Sequence, residues 1–207
     1  MDFGRVGRQP LVSAKLYIEG GGDGSKGQAA RFRQGWNRFF EKAGVGARVK
    51  IVRGGGRQQT FGRFVTAVSE PSTGGLPILL VDSESAVQDG HSVWQHLKER
   101  DGWDRPGGAD GDQAFLMVQV METWFLADRE ALHRYFGGGF RNKKLKQWPR
   151  LEAVPKATVL TSLDQATAQC SKRYRKGDFG PLTKIDPGRV TQACPHAKDL
   201  IDRLKSL

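Results

Sequence analysis

Acidic side chains stand at the ends of several apolar segments of the sequence. Glu19 follows LYI, and Asp82 and Glu84 follow LPILLV. Glu122 lies inside the apolar segment VMETWF. Carboxylates that are crowded together repel one another and raise each other's pKa, and a divalent cation relieves that repulsion. Because hard oxygen ligands suit Mg²⁺ or Mn²⁺, the pattern predicts a catalytic metal site made by these acids.

Each acid taken alone has a simpler interpretation. Glu19 could be a solvated loop residue, and Asp82 could cap the helix that follows it. Glu122 is harder to explain in this way, because an unpaired carboxylate inside an apolar segment is costly. Asp128, farther along the chain, is a secondary metal candidate whose alternative is a helix cap or a pair with a neighbouring arginine. Only the combination of acids favours a metal.

The histidines and cysteines do not suggest zinc. The chain has 4 His and 2 Cys, and their spacing does not match that of zinc ligands. Cys170 and Cys194 fit a reducing compartment, in which thiols stay unpaired. The sequence has neither a run of roughly 18 to 20 apolar residues nor an N-terminal apolar segment typical of a secretory signal. We therefore expect a cytoplasmic protein.

Alternating strands and helices are predicted to position the acids. Apolar or β-branched segments that predict strands lie at residues 11–19, 48–52, 76–81 and 114–120. Segments with helical spacing lie at about 25–43, 57–70, 92–100 and 124–135. This order predicts an α/β fold, Rossmann-like, with a parallel sheet of four strands and flanking helices. The carboxyl ends of parallel strands meet at one edge of a sheet, where ligands bind.

The chain becomes basic and rich in loop-forming residues after the glycines that follow Phe136. We expect residues 1–136 to form the α/β core. Residues 137–207 are predicted to form a basic, helical extension packed on that core, with helices near 163–175 and 187–204.

Glycine-rich loops follow the first two predicted strands. GGGDG follows Glu19, and GGGR ends at Arg57. Neither loop reproduces the GxGxxG fingerprint or the P-loop, so a nucleotide site is not expected. Glycines without side chains would instead give a metal and a bulky polyanion access to the sheet edge. Arg57, at a predicted helix N-terminus, is a candidate phosphate ligand, with a plain turn as the alternative.

The charge of the chain indicates a polyanionic partner. Lys and Arg number 33 against 22 Asp and Glu, which gives a net charge of +11. A domain this basic is typical of nucleic-acid-binding proteins, although a charge that serves only solubility is the alternative. Besides Arg57, the residues predicted to bind phosphate are Lys26, Lys172, Arg173 and Lys176.

These motifs resemble those of the Toprim superfamily, which covers topoisomerases, bacterial primases and the overcoming-lysogenization-defect nucleases. The resemblance is carried by Glu19 before a glycine and by Asp82-Ser83-Glu84 after the third strand. A closer similarity, to a Toprim-like bacterial family of unknown function, is carried by EGGGD, GGR (55–57), LLVDSE, HLKERDGW, METWFLAD and KRYRKGDF. That family is often encoded near ATPases in defence-type loci.

The resemblance implies roles for particular residues. It implies that Glu19 is a general acid/base or a metal ligand, and that Asp82 and Glu84 bind Mg²⁺. The second acid of the pair is Glu here, where the superfamily has Asp, which leaves open whether one or two metals bind. Glu122 and Asp128 have no counterpart in the superfamily motif, and their prediction rests on the sheet-edge argument.

The expected function is therefore that of a Mg²⁺-dependent nuclease that hydrolyses phosphodiester bonds of DNA or RNA, as an effector in phage defence with a partner ATPase. The alternative is a non-catalytic nucleic-acid-binding or adaptor subunit of an ATPase complex. In that case Trp94, Trp103 and Trp148 would be exposed as partner surface. A small-molecule phosphotransferase is disfavoured, because the nucleotide motifs are missing.

Overall fold

The central element of the fold is a parallel sheet with the strand order β2-β1-β3-β4. The computed structural model describes residues 14–20, 26–70 and 74–207, and only the backbone of Lys26. The strands are β1 (Ala14–Glu19), β2 (Val49–Gly55), β3 (Leu76–Asp82) and β4 (Ala114–Met117). All pairs in the sheet are parallel, which confirms the predicted α/β class. Residues 11–13 of the predicted first strand and the glycines at 21, 22 and 24 lie outside the described residues.

Helices connect and cover the strands. Those between the strands are α1 (Lys26–Lys42), α2 (Arg57–Ser69) and α3 (Val93–Asp101). Those after β4 are α4 (Glu122–Phe125), α5 (Arg129–Phe136), α6 (Lys156–Thr167), α7 (Pro187–Ala193) and α8 (Pro195–Ser206). Short 3₁₀ turns lie at 46–48, 142–144, 151–153 and 181–183. In the described part of the chain, no helix is long and apolar enough to cross a membrane.

Several predicted boundaries were wrong. The strand predicted to reach Val120 ends at Met117, because its partner β3 also ends there, with Asp82 paired to Met117. The helix predicted near 163–175 lies at Lys156–Thr167. Its N-cap is Pro155, which has an extended ψ of 139° and no backbone N–H to donate, so the helix begins after it.

The helix predicted from residues 187 to 204 is two helices, α7 and α8. Cys194 separates them with an extended backbone, at φ −128° and ψ 95°. The break has a local cause. The next residue, Pro195, disfavours the helical conformation for the residue before it.

Apolar side chains cover both faces of the sheet. Leu16 and Ile18 of β1 pack into a cluster with α1 and α4–α8, while Tyr17, on the opposite face, packs with α2 and α3. This alternation is the period-two pattern of a strand buried on both sides. Trp94 and Trp103, predicted to be exposed, are 9% and 5% exposed and belong to the second cluster. Burial in this cluster makes them core residues and not partner surface.

Gly35 allows α1 to contact the segment around Phe179 at backbone distance. A Cβ atom at Gly35 would lie 2.4 Å from the carbonyl oxygen of Phe179, whereas a Cβ at Gly62 in α2 would meet nothing within 4 Å. Alanine in a helix gains up to about 1 kcal/mol over glycine, but overpacking against rigid backbone typically costs about 1–3 kcal/mol or more.

Gly35→Ala is therefore expected to lower the free energy of unfolding by about 2 kcal/mol. Gly62→Ala, the matched control, is expected to raise the free energy of unfolding by about 0.5–1 kcal/mol, because only helix propensity acts at Gly62. Urea denaturation of both variants measures the difference. Equal stability of the two variants would contradict the close approach of α1 to Phe179.

Candidate functional site

Two of the predicted acids lie at the carboxyl ends of neighbouring strands. Glu19 is the last residue of β1 and Asp82 the last of β3, and these strands are adjacent in the sheet. The backbone N–H of Asp82 donates to Glu19 Oε2 at 3.3 Å. The parallel order therefore brings together carboxylates that are 63 residues apart in the sequence.

Asp82 is the described acid whose pKa is raised most clearly. Burial raises its pKa well above the usual range, and the negative charges of Glu19, Glu122 and Glu84 raise it further. One contact opposes this shift, because the backbone N–H of Met121 donates to Asp82 Oδ1 at 2.8 Å. A cation bound beside Asp82 would reverse the shift, since opposite charge favours the ionised carboxylate.

The pKa of Glu19 is raised as well, but less than that of Asp82. Burial of its side chain, which is 17% exposed, raises the pKa, and Arg57 lowers it in part. The charge of Glu84 contributes a further increase, which places that residue within electrostatic range of Glu19. The charge of Glu84 therefore raises the pKa of both Glu19 and Asp82.

Arg57 is held by several contacts beside these acids. It donates to both carboxylate oxygens of Asp101, at 2.9 and 2.7 Å. Its Nη1 atom also donates to Glu19 Oε2 at 3.1 Å and to the carbonyl oxygen of Asp82 at 2.5 Å. The guanidinium lies 5.1 Å from the ring centroid of Trp103. The residue predicted to bind phosphate is therefore an internal counter-ion of the acids in this structure.

Glu84 occupies an unusual backbone conformation. Its φ is +66°, in the left-handed region that non-glycine residues rarely adopt. Its N–H donates to the carbonyl oxygen of Gln119 at 2.7 Å, which ties the loop after β3 to the loop after β4. Backbone strain of this kind costs about 1–3 kcal/mol and is concentrated at functional sites. The Glu84 carboxylate forms an ion pair with Lys156, and Arg100 lies 4.0 Å from it.

Glu122 is almost completely buried, at 2% exposed, and it has no basic partner among the described residues. The hydroxyl of Tyr174 donates to its Oε1 atom at 2.9 Å, and the N–H of Gly177 donates to the same oxygen at 3.3 Å. Burial, followed by the charge of Glu122, raises the pKa of the Tyr174 hydroxyl. Glu122 therefore links the acids to the segment that contains Tyr174 and Gly177.

Asp128 has the contacts of a structural residue. It is the N-cap of α5, where its Oδ1 atom accepts from the N–H of Ala131 at 3.1 Å. Its Oδ2 atom accepts from the N–H of Asp186 at 3.0 Å, and Arg189 lies 3.7 Å from Oδ1. Within the described chain, Asp128 shares no hydrogen-bond partner with the other predicted acids. These contacts favour the helix cap, which the sequence left open.

The acids at the sheet edge offer oxygens to a cation. The contacts given above use one carboxylate oxygen of each acid. The oxygens outside those contacts are Glu19 Oε1, Asp82 Oδ2, Glu84 Oε1 and Glu122 Oε2. In residues 14–20, 26–70 and 74–207, however, no group of three or more His, Cys, Asp or Glu side chains is arranged to hold a metal ion. The donor chemistry fits Mg²⁺, but these side-chain positions do not yet form its coordination shell.

A basic groove of about 1220 Å³ lies between α1 and residues 171–184. From α1 it is lined by the basic residues Arg31, Arg38 and Lys42. From the facing segment it is lined by the basic residues Lys172, Arg173, Arg175, Lys176 and Lys184. Three of the residues predicted to bind phosphate therefore share this groove, whereas Arg57 lies at the acid cluster and the side chain of Lys26 lies outside the described residues.

The phosphate candidates of the groove differ in how firmly they are held. Arg173 donates to both carboxylate oxygens of Asp164, at 2.8 and 2.9 Å. Lys172 places its ammonium 3.4 Å from the ring centroid of Tyr135. Lys176 has no carboxylate within ion-pair distance in the described part of the chain. Of the three residues, Lys176 is therefore the one whose charge is most available to a phosphate.

Sequence reasoning missed Asp101 and Lys156. Asp101 ends α3 and orients Arg57, while Lys156 begins α6 and pairs with Glu84. Both residues approach the acids from elements that are distant in sequence. Asp101 lies within the motif HLKERDGW, where it had no assigned role, and Lys156 belongs to no motif. The basic residues of α1 had a detectable signal, since Arg31, Arg38 and Lys42 recur at the spacing of one helix face.

Comparison with known proteins gives a family and no activity. A family model described as a domain of unknown function, DUF4276, matches residues 28–205. No curated protein and no solved structure matches the chain. The description of the family states no reaction or ligand, so the resemblance to the Toprim superfamily stays a prediction.

Proposed function

Because the chain belongs to the DUF4276 family, whose function is unknown, we propose a function from its own residues: a Mg²⁺-dependent nuclease that hydrolyses phosphodiester bonds of DNA or RNA. One observation supports this most strongly. Burial at the carboxyl edge of a parallel sheet raises the pKa of Asp82, and the carboxylates of Glu19, Glu122 and Glu84 raise it further. A buried carboxyl surrounded by other acids is suited to a divalent cation.

The proposed metal ligands are Asp82 and Glu84, with Glu122 as a further candidate, and Glu19 lies beside Asp82, whose N–H donates to its Oε2 atom. When bound, a divalent ion would polarise the phosphodiester and lower the pKa of the attacking water. Arg57 and Lys156 now neutralise Glu19 and Glu84. With an ion bound beside these acids, Arg57 and Lys156 would be available to pair with phosphate oxygens of the substrate.

Glu19 is the proposed general base. Its pKa is raised by burial, which brings a carboxylate closer to the range in which it exchanges protons at neutral pH. Asp101 holds Arg57 through two hydrogen bonds, so the guanidinium position is fixed while the acids change partners. Glu122 accepts from the N–H of Gly177, which lines the basic groove, and so holds that residue in place.

A non-catalytic nucleic-acid-binding or adaptor subunit is the second candidate. The observation that favours it is the pairing of Glu19 with Arg57 and of Glu84 with Lys156, which satisfies these acids without a metal. A partner ATPase and a role in phage defence belong to the proposal through the family resemblance alone. A cytoplasmic location belongs to it through the two free cysteines, which fit a reducing compartment.

Hydrolysis of labelled DNA and RNA in Mg²⁺, Mn²⁺ and EDTA distinguishes the two candidates. The nuclease is expected to cleave in Mg²⁺ or Mn²⁺ and to lose activity completely in EDTA, whereas the binder is expected to retain nucleic acid without cleavage in all three. The melting temperature of the protein alone is measured in the same buffers. If the protein shows no cleavage and its melting temperature does not rise with Mn²⁺, the metal site is contradicted.

A further inference from the structure

One face of α1 forms a wall of the basic groove that no motif assigns to a function. Gln28, Arg31, Gln34 and Arg38 line the groove, and each is separated from the next by three or four residues, the spacing of one helix face. At 1.5 Å per residue, the wall from Gln28 to Arg38 is about 15 Å long. That length equals about four base-pair steps of a duplex, in which phosphates of one strand rise about 3.4 Å per step.

The opposite wall is formed by residues 171–184 and is fixed to α1. Phe179 packs against Phe32 with ring centroids 4.8 Å apart, and its backbone lies against Gly35. Phe179 is 3% exposed, so this contact closes the floor of the groove with apolar side chains. The two basic walls therefore stand at a fixed separation.

The charges of the groove are largely uncompensated. Its acidic lining residues are Glu41, which pairs with Arg38 at the surface, and Asp178, which accepts from the hydroxyl of Tyr135 at 3.1 Å. In the described chain, Arg31 and Lys176 have no carboxylate within 4.0 Å. A groove with this excess of cations attracts a polyanion.

The groove offers no free aromatic face for stacked bases among the described residues. Its aromatic lining residues are Tyr135 and Phe179. Phe179 is buried, and the ammonium of Lys172 covers the ring of Tyr135 at 3.4 Å. Proteins that bind single strands typically stack bases on exposed aromatic rings, so this groove is better suited to the phosphate backbone of a duplex.

The groove leads to the acids at the sheet edge. Gly177, which lines the groove, donates its N–H to Glu122, and the ring of Phe179 lies next to Gly20, the residue after Glu19. We infer that α1 and residues 171–184 bind one phosphate backbone of double-stranded nucleic acid and direct it to the acid cluster. This inference rests on the proposed function for the role of the acids, but binding in the groove requires no metal.

Binding is tested by fluorescence anisotropy in EDTA, with a DNA duplex of about 20 base pairs, the corresponding RNA duplex and a single strand, over a range of salt concentrations. Wild type is expected to bind at least one duplex more tightly than the single strand. In Arg31→Gln/Arg38→Gln, the affinity for that duplex is expected to fall about 10-fold or more, with a salt slope smaller by about 1.8, because each lost phosphate contact removes about 0.9.

The matched control is Arg33→Gln/Lys143→Gln. It removes the same charge from exposed residues, one of them on α1, that do not line the groove. Its affinity is expected to stay within about 2-fold of wild type. Equal loss in both double variants, or tighter binding of the single strand, overturns the inference. If the protein binds the duplex through α1 but does not cleave it in Mg²⁺, the binding role of the groove is supported and only the proposed nuclease activity is refuted. If the protein cleaves and the α1 variant cleaves equally well, only the binding role of the groove is refuted.

Discussion

Asp82→Asn is expected to lower Mg²⁺-dependent hydrolysis by more than about 100-fold and to leave the metal-free fold at least as stable as wild type at about pH 7. The loss of activity follows from the loss of a proposed metal ligand, since even outer partners of a metal site are typically worth about 10 to 100-fold. The fold is retained because the asparagine oxygen can still accept from the N–H of Met121, as Asp82 Oδ1 does at 2.8 Å.

The expected stability follows from the direction of the pKa shift. Burial and the neighbouring acids raise the pKa of Asp82 in the folded protein. The folded state therefore holds this proton to a higher pH than the unfolded state does. Between the unfolded and the folded pKa, the free energy of unfolding falls as pH rises, and the loss persists above that window. Asparagine has no such titration, so the variant avoids the loss.

Both effects are measured on the same preparations. Hydrolysis rates are taken at saturating Mg²⁺, and urea denaturation in EDTA gives the free energy of unfolding from about pH 4 to about pH 8. Asp89→Asn serves as the control, because Asp89 is exposed and its substitution removes the same charge from a loop. Full activity of Asp82→Asn, or a metal-free variant clearly less stable than wild type at neutral pH, would contradict the site.

The sheet and the convergence of Glu19 with Asp82 were predictable from the sequence. Apolar runs such as LPILLV identify strands buried on both faces, and alternation with helices requires a parallel order. In a parallel sheet, residues that end neighbouring strands are placed at one edge, so the position of the two carboxylates follows from topology. The separation of 63 residues in sequence had no bearing on it.

The partners of those acids could not be predicted in the same way. Arg57 lies at the helix N-terminus where a phosphate ligand is expected, yet Asp101 and Glu19 both engage it. Lys156 reaches Glu84 from α6, after a chain segment without regular periodicity. Such ion pairs depend on how distant elements pack, and local spacing carries no information about that packing. The same reason explains why two of the supposed surface tryptophans are buried.

The counter-ions change how the acid cluster is understood. Repulsion around Asp82 indicates a cation, and Arg57 with Lys156 already supply positive charge to Glu19 and Glu84. The Asp82 carboxylate itself accepts only a neutral N–H, from Met121, among the described donors. Asp82 and Glu122 are therefore the acids of this cluster without a basic partner among the described residues. Asp82 is the one whose pKa is raised well above its usual range by burial and by the neighbouring acids, so its substitution separates a metal site from a structural ion-pair network.

Asp128→Ala is expected to lower the free energy of unfolding by about 2–4 kcal/mol without weakening metal binding. Loss of an N-cap typically costs about 1 kcal/mol, and a buried N–H left without its acceptor costs about 1–3 kcal/mol more. Both losses apply, because Asp128 accepts from the N–H groups of Ala131 and Asp186 and is 3% exposed.

Asp128→Asn is expected to show a smaller loss than Asp128→Ala. Its amide oxygen can still cap Ala131, but its amide nitrogen cannot accept from the N–H of Asp186. Urea denaturation measures both variants, with the exposed residue substitution Asp89→Ala as the control, and Mn²⁺ titration by calorimetry measures metal binding under folded conditions. If Asp128→Ala keeps its stability and loses Mn²⁺, Asp128 is a metal ligand and the cap is incidental. If Asp128→Ala loses stability but still binds Mn²⁺, Asp128 is a structural residue at the junction of α5 and α7. The candidate metal ligands are then the acids at the sheet edge.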